Sequence, residues 1–300
     1  MFTRPYALFV VVLSVGMLVG LSAGPDSGLS RERDLVALQE VFEKLGSTPT
    51  GAQLLKVAQK KWKLKAVSEL TAVVDWGETS RTDAILTRHY DPSTGEEVRE
   101  KTVVIYLRQD QAIGASVLDL AHELTHGTTE QTWDPYDPKL TAEGYIRAGI
   151  EGAGGEVEAV WNECRVSAEL EQAGGEAIPG DRCGRYIVGK TVDRGMILKD
   201  FYKVGESLSG FLKELNVSGR SPASSPFPEL SDETPTLISS TWNQPYPLAL
   251  FREYEELTRL ACANTTRRLS ALKRSSPLTS KPGSSLQSKM DEMVRTRCTQ

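Results

Sequence analysis

The strongest chemical signal in this chain is carried by His122, Glu123 and His126, in the segment Ala121-His122-Glu123-Leu124-Thr125-His126. Side chains four apart on an α-helix lie one turn apart on one face, so both imidazoles can reach the same cation. Glu123 follows the first imidazole and is not itself a ligand. It is placed to take a proton from water held at that cation. The H-E-x-x-H pattern thus predicts one catalytic Zn2+ ion beside a carboxylate base. The chain holds 3 histidines. Two of them at this spacing, with Glu in the required slot, is an accident on the order of one in a thousand, so the pattern reads as functional.

A catalytic zinc usually takes three protein ligands and keeps one position open. The remaining histidine, His89, precedes the motif in a candidate strand and reads as a surface or packing residue. Acidic candidates follow in Gly155-Glu156-Val157-Glu158-Ala159-Val160-Trp161-Asn162-Glu163. On a helical wheel, Val157, Val160, Trp161, Cys164 and Ala168 define the buried face. Glu156 and Glu163 stand at one border of that face, while Glu158 and Glu169 point away. A ligand must face the motif helix, which favours Glu156 or Glu163 over Glu158. Glu169 and Glu171 read as a solvated face. An oxyanion stabiliser is also needed; Tyr136, Tyr145, Arg147 and Arg165 are candidates that spacing does not separate.

Over about residues 100–170, the order of strand, H-E-x-x-H helix and acidic helix resembles the zincin metallopeptidases. The metzincin pattern is excluded, because Thr129 and Thr132 occupy its Gly and last His slots. Several gluzincin families carry their third ligand as E-x-x-A, and Glu156-Val157-Glu158-Ala159 fits. The thermolysin-like N-E-x-x-S-D is matched in part by Asn162 to Ser167, with Ala168 in the Asp slot. The resemblance therefore implies Glu156 as the third ligand, with Glu163, Glu158 and Asp134 as alternatives. Asp134 is included because some zincins use an aspartate shortly after the motif. The resemblance also implies a zinc-dependent peptidase that acts on a peptide or protein substrate held beside a strand, with Glu123 as general base. The rival reading is a catalytically inactive zincin-like zinc-binding module acting in protein interaction. Glu123 argues against it, since a structural site needs no base.

The elements that position these residues can be read more coarsely. Apolar periodicity predicts helices over 35–45 and 50–62. Apolar, β-branched runs at 70–76, 84–90 and 103–107 predict strands, with a turn at 91–95. The motif helix runs from about 111 past 126, loosened or ended near Gly127, and a loop fills 129–142. Further helices are expected over 155–173, 192–215 and 247–272. The fold class is α+β, with a small, mainly antiparallel sheet, a motif helix and a glutamate-bearing helix.

The 300 residues carry a net charge of −5, which gives no electrostatic reason to expect nucleic acid. Arg4, the apolar run Ala7 to Leu21 and the small residues Ser22, Ala23 and Gly24 describe a signal peptide over 1–23. The apolar run is shorter than the roughly 20 residues of a membrane span. Export to the periplasm or the exterior, with no stable span after cleavage, is the expectation. Four cysteines then suggest two disulfides, and sequence proximity pairs Cys164 with Cys183 and Cys262 with Cys298. The organisation is a signal peptide, a zincin-like domain over 24–216, a Ser/Pro-rich linker over 217–235, and a C-terminal helical extension with a polar tail over 236–300. The apolar stripe of Phe251, Tyr254, Leu257, Leu260 and Ala261 reads as core packing. The tail is expected to be loosely ordered unless Cys298 pins it.

Overall fold

A computed structural model describes residues 9–14, 28–91, 96–175, 178, 181–217, 230–275 and 285–298. The chain is mixed α+β. Helices α1 (Gly28–Gly46) and α2 (Pro49–Trp62) form an N-terminal pair. The corner between them is tight: Thr48 caps α2 by accepting from the Gly51 amide, and its hydroxyl donates to the Leu45 carbonyl at 2.9 Å. A Cβ on Gly51 would stand 2.0 Å from that same carbonyl, so only glycine fits there.

Four strands make the main sheet: β1 (Phe9–Ser14), β2 (Val74–Gly77), β3 (Arg81–Asp91) and β4 (Glu96–Arg108). Their order is β1-β3-β4-β2, with β1–β3 and β3–β4 antiparallel and β2–β4 parallel. The sheet is mainly antiparallel, as the sequence suggests. The strand expected from Leu70 begins only at Val74, because Val67–Ala72 turns as a 3-10 helix. Glu69 closes that turn by accepting from the Lys65 amide. Four residues of the expected 91–95 turn, 92–95, lie outside the described residues, as does the expected end of the signal peptide at 23. The strand β1 occupies part of the apolar run read as the core of an export signal.

Helix α3 (Ile113–Thr128) carries the H-E-x-x-H motif. It runs through Gly127, where a Cβ would meet Ile105 at 3.2 Å, so that glycine serves close helix–sheet packing. Helix α4 (Ala142–Glu151) was not anticipated, and α5 (Glu156–Gln172) follows it. The short hairpin strands β5 (Ile187–Val188) and β6 (Thr191–Val192) lead to α6 (Arg194–Phe201) and α7 (Leu208–Val217). One helix was expected across 192–215. The chain breaks instead at 202–207, where Val204 and Tyr202 bond to the backbone of Ser231 and Gly205 takes a φ of +66°. Strands β7 (Ile238–Ser239) and β8 (Gln244–Pro245) precede the long α8 (Tyr246–Ser275) and α9 (Ser285–Arg297).

Two apolar cores flank the motif helix. One gathers α1, α2, β4 and the inner face of α3, including Leu120 and Leu124, both fully buried. Burying each such leucine contributes about 1.5–3 kcal/mol. The other gathers α4, α6, α7 and α8, and includes Phe251, Tyr254 and Leu257 of the expected apolar stripe. Helix α5 belongs to both, giving Val166 and Leu170 to the first and Val157, Val160 and Cys164 to the second. Both expected disulfides form, Cys164–Cys183 and Cys262–Cys298. The second ties α9 to α8, so this part of the tail is ordered, and Arg297 donates to the carbonyls of Pro135 and Asp137. No described helix is long and apolar enough to cross a membrane.

Candidate metal centre

The site lies where α3, α5 and the start of α8 meet beside β3. His122 and His126 project from one face of α3, with their Nε2 atoms 3.1 Å apart. Glu156, the first residue of α5, closes the set. Its Oε2 lies 3.5 Å from His122 Nε2 and its Oε1 lies 3.7 Å from His126 Nε2. Ligand atoms about 2.0–2.1 Å from a tetrahedral ion stand about 3.3–3.4 Å apart, so these spacings suit one shared cation. Glu156 Oε2 is buried and has no hydrogen-bond partner. A buried carboxylate oxygen left alone is costly, and a cation between the three residues would satisfy it. His122, His126 and Glu156 can therefore hold a metal ion.

Each imidazole is oriented through its far nitrogen. His122 Nδ1 contacts Glu163 Oε2 at 3.0 Å, and the Gly154 carbonyl accepts from His126 Nδ1 at 2.7 Å. A proton on Nδ1 leaves the Nε2 lone pair for the cation. Glu163 is itself gripped by Arg182, whose Nε and Nη2 donate to its two oxygens at 3.0 and 2.6 Å. The Cys164–Cys183 disulfide joins the residue after Glu163 to the residue after Arg182, so it clamps this ion pair from behind. Burial pushes the Glu163 carboxyl up, but Arg182 and His122 pull it down to about 2.

The Gly154 carbonyl owes its direction to backbone conformation. Gly154 has a φ of +66°, and a Cβ there would sit 2.4 Å from the Thr129 Cβ. The Gly154 amide donates to Glu158, so Glu158 braces the loop that orients His126. Glycine at Gly155 lets that loop fold onto its own carbonyls before α5 starts.

Glu123 is buried next to the cluster. Thr82 of β3 donates its hydroxyl to Glu123 Oε2 at 2.7 Å, fixing one carboxylate oxygen. Burial raises the Glu123 pKa; His122, His126 and the Thr82 bond oppose this, and Glu156 adds to it. Burial alone would disfavour charge on His122, yet Glu156, Glu163 and Glu123 push its pKa up to about 10. The pocket thus strongly attracts positive charge.

Asp134, Tyr136, Arg147 and Arg165 stand outside this centre. Asp134 lies outside the cluster, paired with Arg99 at 2.6 Å. His89 sits in β3, in register with Val98. Of the four oxyanion candidates, only Tyr145 lines the cleft. Tyr136 packs beneath the Arg88 guanidinium, Arg147 pairs with Glu143 and Glu151 along α4, and Arg165 packs on Trp161. Glu169, expected to be solvated, instead accepts from the Thr50 amide and hydroxyl at the start of α2. Glu171 is exposed, as expected.

Sequence reasoning missed Tyr246, at the start of α8. It lines the cleft, within electrostatic reach of Glu156. Burial and then the Glu156 charge hold its pKa well above the usual value, so it remains a donor at neutral pH. No local pattern joins Tyr246 to a motif more than 100 residues earlier. The one available signal was the amphipathic start of a long helix. Packing of α8 against α4 brings it there, helped by Gly149, where a Cβ would stand 3.0 Å from Leu250.

No protein family, curated protein or solved structure matches this chain.

Proposed function

We propose that the protein is an exported zinc-dependent metallopeptidase of the gluzincin type. The observation that carries this reading is the convergence of His122, His126 and Glu156 with the buried Glu123 beside them, in one cleft. Two histidines and a glutamate match the protein ligand set of a catalytic zinc, which keeps its fourth position open. A purely structural zinc site needs no base, and Glu123 is held ready as one by Thr82. The two disulfides agree with an oxidising compartment.

Zinc, once bound by these three residues, supplies a Lewis acid that polarises the scissile carbonyl and acidifies water. Glu123 accepts the proton of the attacking water and delivers it to the leaving amine. Its raised pKa suits both halves of that task. Thr82 fixes one carboxylate oxygen of Glu123 and so its orientation. Tyr246 donates to the developing oxyanion, and Glu163 with Arg182 holds the His122 ring in place.

The test is hydrolysis of a fluorogenic peptide library by zinc-loaded protein. Glu123→Gln is expected to retain one zinc and to lose about 10²–10⁴ in rate. Equal cleavage by both proteins would overturn the mechanism. Zinc binding with no cleavage by the wild type would favour the inactive binding module.

A further inference from the structure

The first two turns of α8 present a stripe to the cleft: Tyr246, Ala249, Leu250 and Glu253, at i, i+3, i+4 and i+7. Glu253 is the unexpected member. It lines the same cleft as the metal ligands, alongside Tyr145, which lowers its pKa. Among the described residues, no Lys, Arg or His side chain pairs with it.

Of the other charges lining the cleft, Arg81 pairs with Asp83 and Lys101 bonds to Gln131, while Arg182 beside it pairs with Glu163; a divalent ion bound by His122, His126 and Glu156 would offset Glu123 and Glu156. Glu253 is then a lining carboxylate with no basic partner among the described residues. Burial, together with Glu156, pushes it up to about 7 despite Tyr145, as expected for an acid that lacks a cation. Trp133, Tyr145 and Trp242 also line this cleft. Aromatic faces accept an alkyl stem and favour a cationic head.

We propose that Glu253 is a specificity-determining residue that receives a positively charged group of the peptide substrate. The group is an ammonium or guanidinium, supplied either by a Lys or Arg side chain or by a free N-terminus. This rests on the peptidase reading of the site, and it names the substrate class that the cleft selects.

The experiment uses zinc-loaded Glu123→Gln protein, which reads binding without turnover. Octapeptides labelled at the C-terminus carry Lys, Arg or norleucine at one varied position, each with a free or an acetylated N-terminus. Fluorescence anisotropy gives the affinities. The expected result is at least tenfold tighter binding of the cationic members, with the ratio collapsing toward one in the Glu123→Gln, Glu253→Gln double variant. The varied position and the acetylation arm separate a side-chain cation from an N-terminal one. Equal binding of cationic and neutral peptides by the Glu123→Gln protein overturns the proposal, whether or not the double variant folds. So does an unchanged ratio in the double variant. Hydrolysis by the wild type is scored separately. Cleavage without a Glu253-dependent preference sinks this inference alone, and preferential binding without cleavage sinks the peptidase reading alone.

Discussion

Glu156 and Glu163 stand seven residues apart on one helix, and the structure gives them different tasks that metal titration can separate. Glu163 touches the far nitrogen of His122 and is held by two bonds from Arg182. Glu163→Gln keeps the shape and leaves an amide oxygen able to accept from Nδ1, but it removes the charge that orients the ring and pairs with Arg182. Losing a carboxylate behind a metal-binding histidine costs about 10–100-fold in affinity, or about 1.4–2.7 kcal/mol. Glu156→Gln removes one of three ligands and should cost well over 100-fold. Zinc competition against a chelator of known affinity at neutral pH measures both, and a thermal melt confirms that each variant folds. The reasoning is refuted if Glu163→Gln loses zinc as completely as Glu156→Gln, or if Glu156→Gln binds it normally.

Tyr246→Phe should retain zinc and lose about 10²–10³ in kcat with KM little changed, and an unaltered kcat removes Tyr246 from the chemistry. Gly154→Ala should destabilise the fold by about 1–3 kcal/mol, because the residue holds a positive φ against Thr129, and should weaken zinc binding by turning the carbonyl away from His126. Unfolding in denaturant and the same chelator titration check both effects; wild-type values for both would contradict the role given to this loop. In the metal-free protein the His122 pKa is raised from 6.5 to about 10, so the stability it contributes is complete below pH 6.5 and is lost as pH rises toward 10. Zinc must displace that proton, so binding at neutral pH should release about one proton and strengthen as pH rises. Calorimetry in buffers of different ionisation enthalpy reads the release, and a proton count of zero would contradict the assigned charge state.

What could be read from the chain follows from the range of each interaction. The motif on α3 and the buried face of α5 are local periodicities, so His122, Glu123, His126 and the border pair Glu156 and Glu163 were legible. Geometry on the wheel could not say which glutamate faces the cation, because the two share a border; the turn into α5 and the position of Arg182 divide their roles. Helix α4 was missed since its start follows a loop dense in Pro and Asp, where local signals favour turns. Thr82, Tyr246 and Glu253 were invisible because each reaches the centre through packing between elements distant in sequence. The same holds for Glu169, whose charge looks solvated until the α2 terminus is placed against it.

The most direct measurement is the zinc-edge anomalous signal from crystals of the purified wild-type protein. The expected result is a single ion about 2.0–2.1 Å from His122 Nε2, His126 Nε2 and a Glu156 oxygen, with Glu163 outside the coordination sphere. An ion bound elsewhere, or coordinated by Glu163 in place of Glu156, would contradict this site. A protein that stays metal-free after zinc loading would contradict it outright.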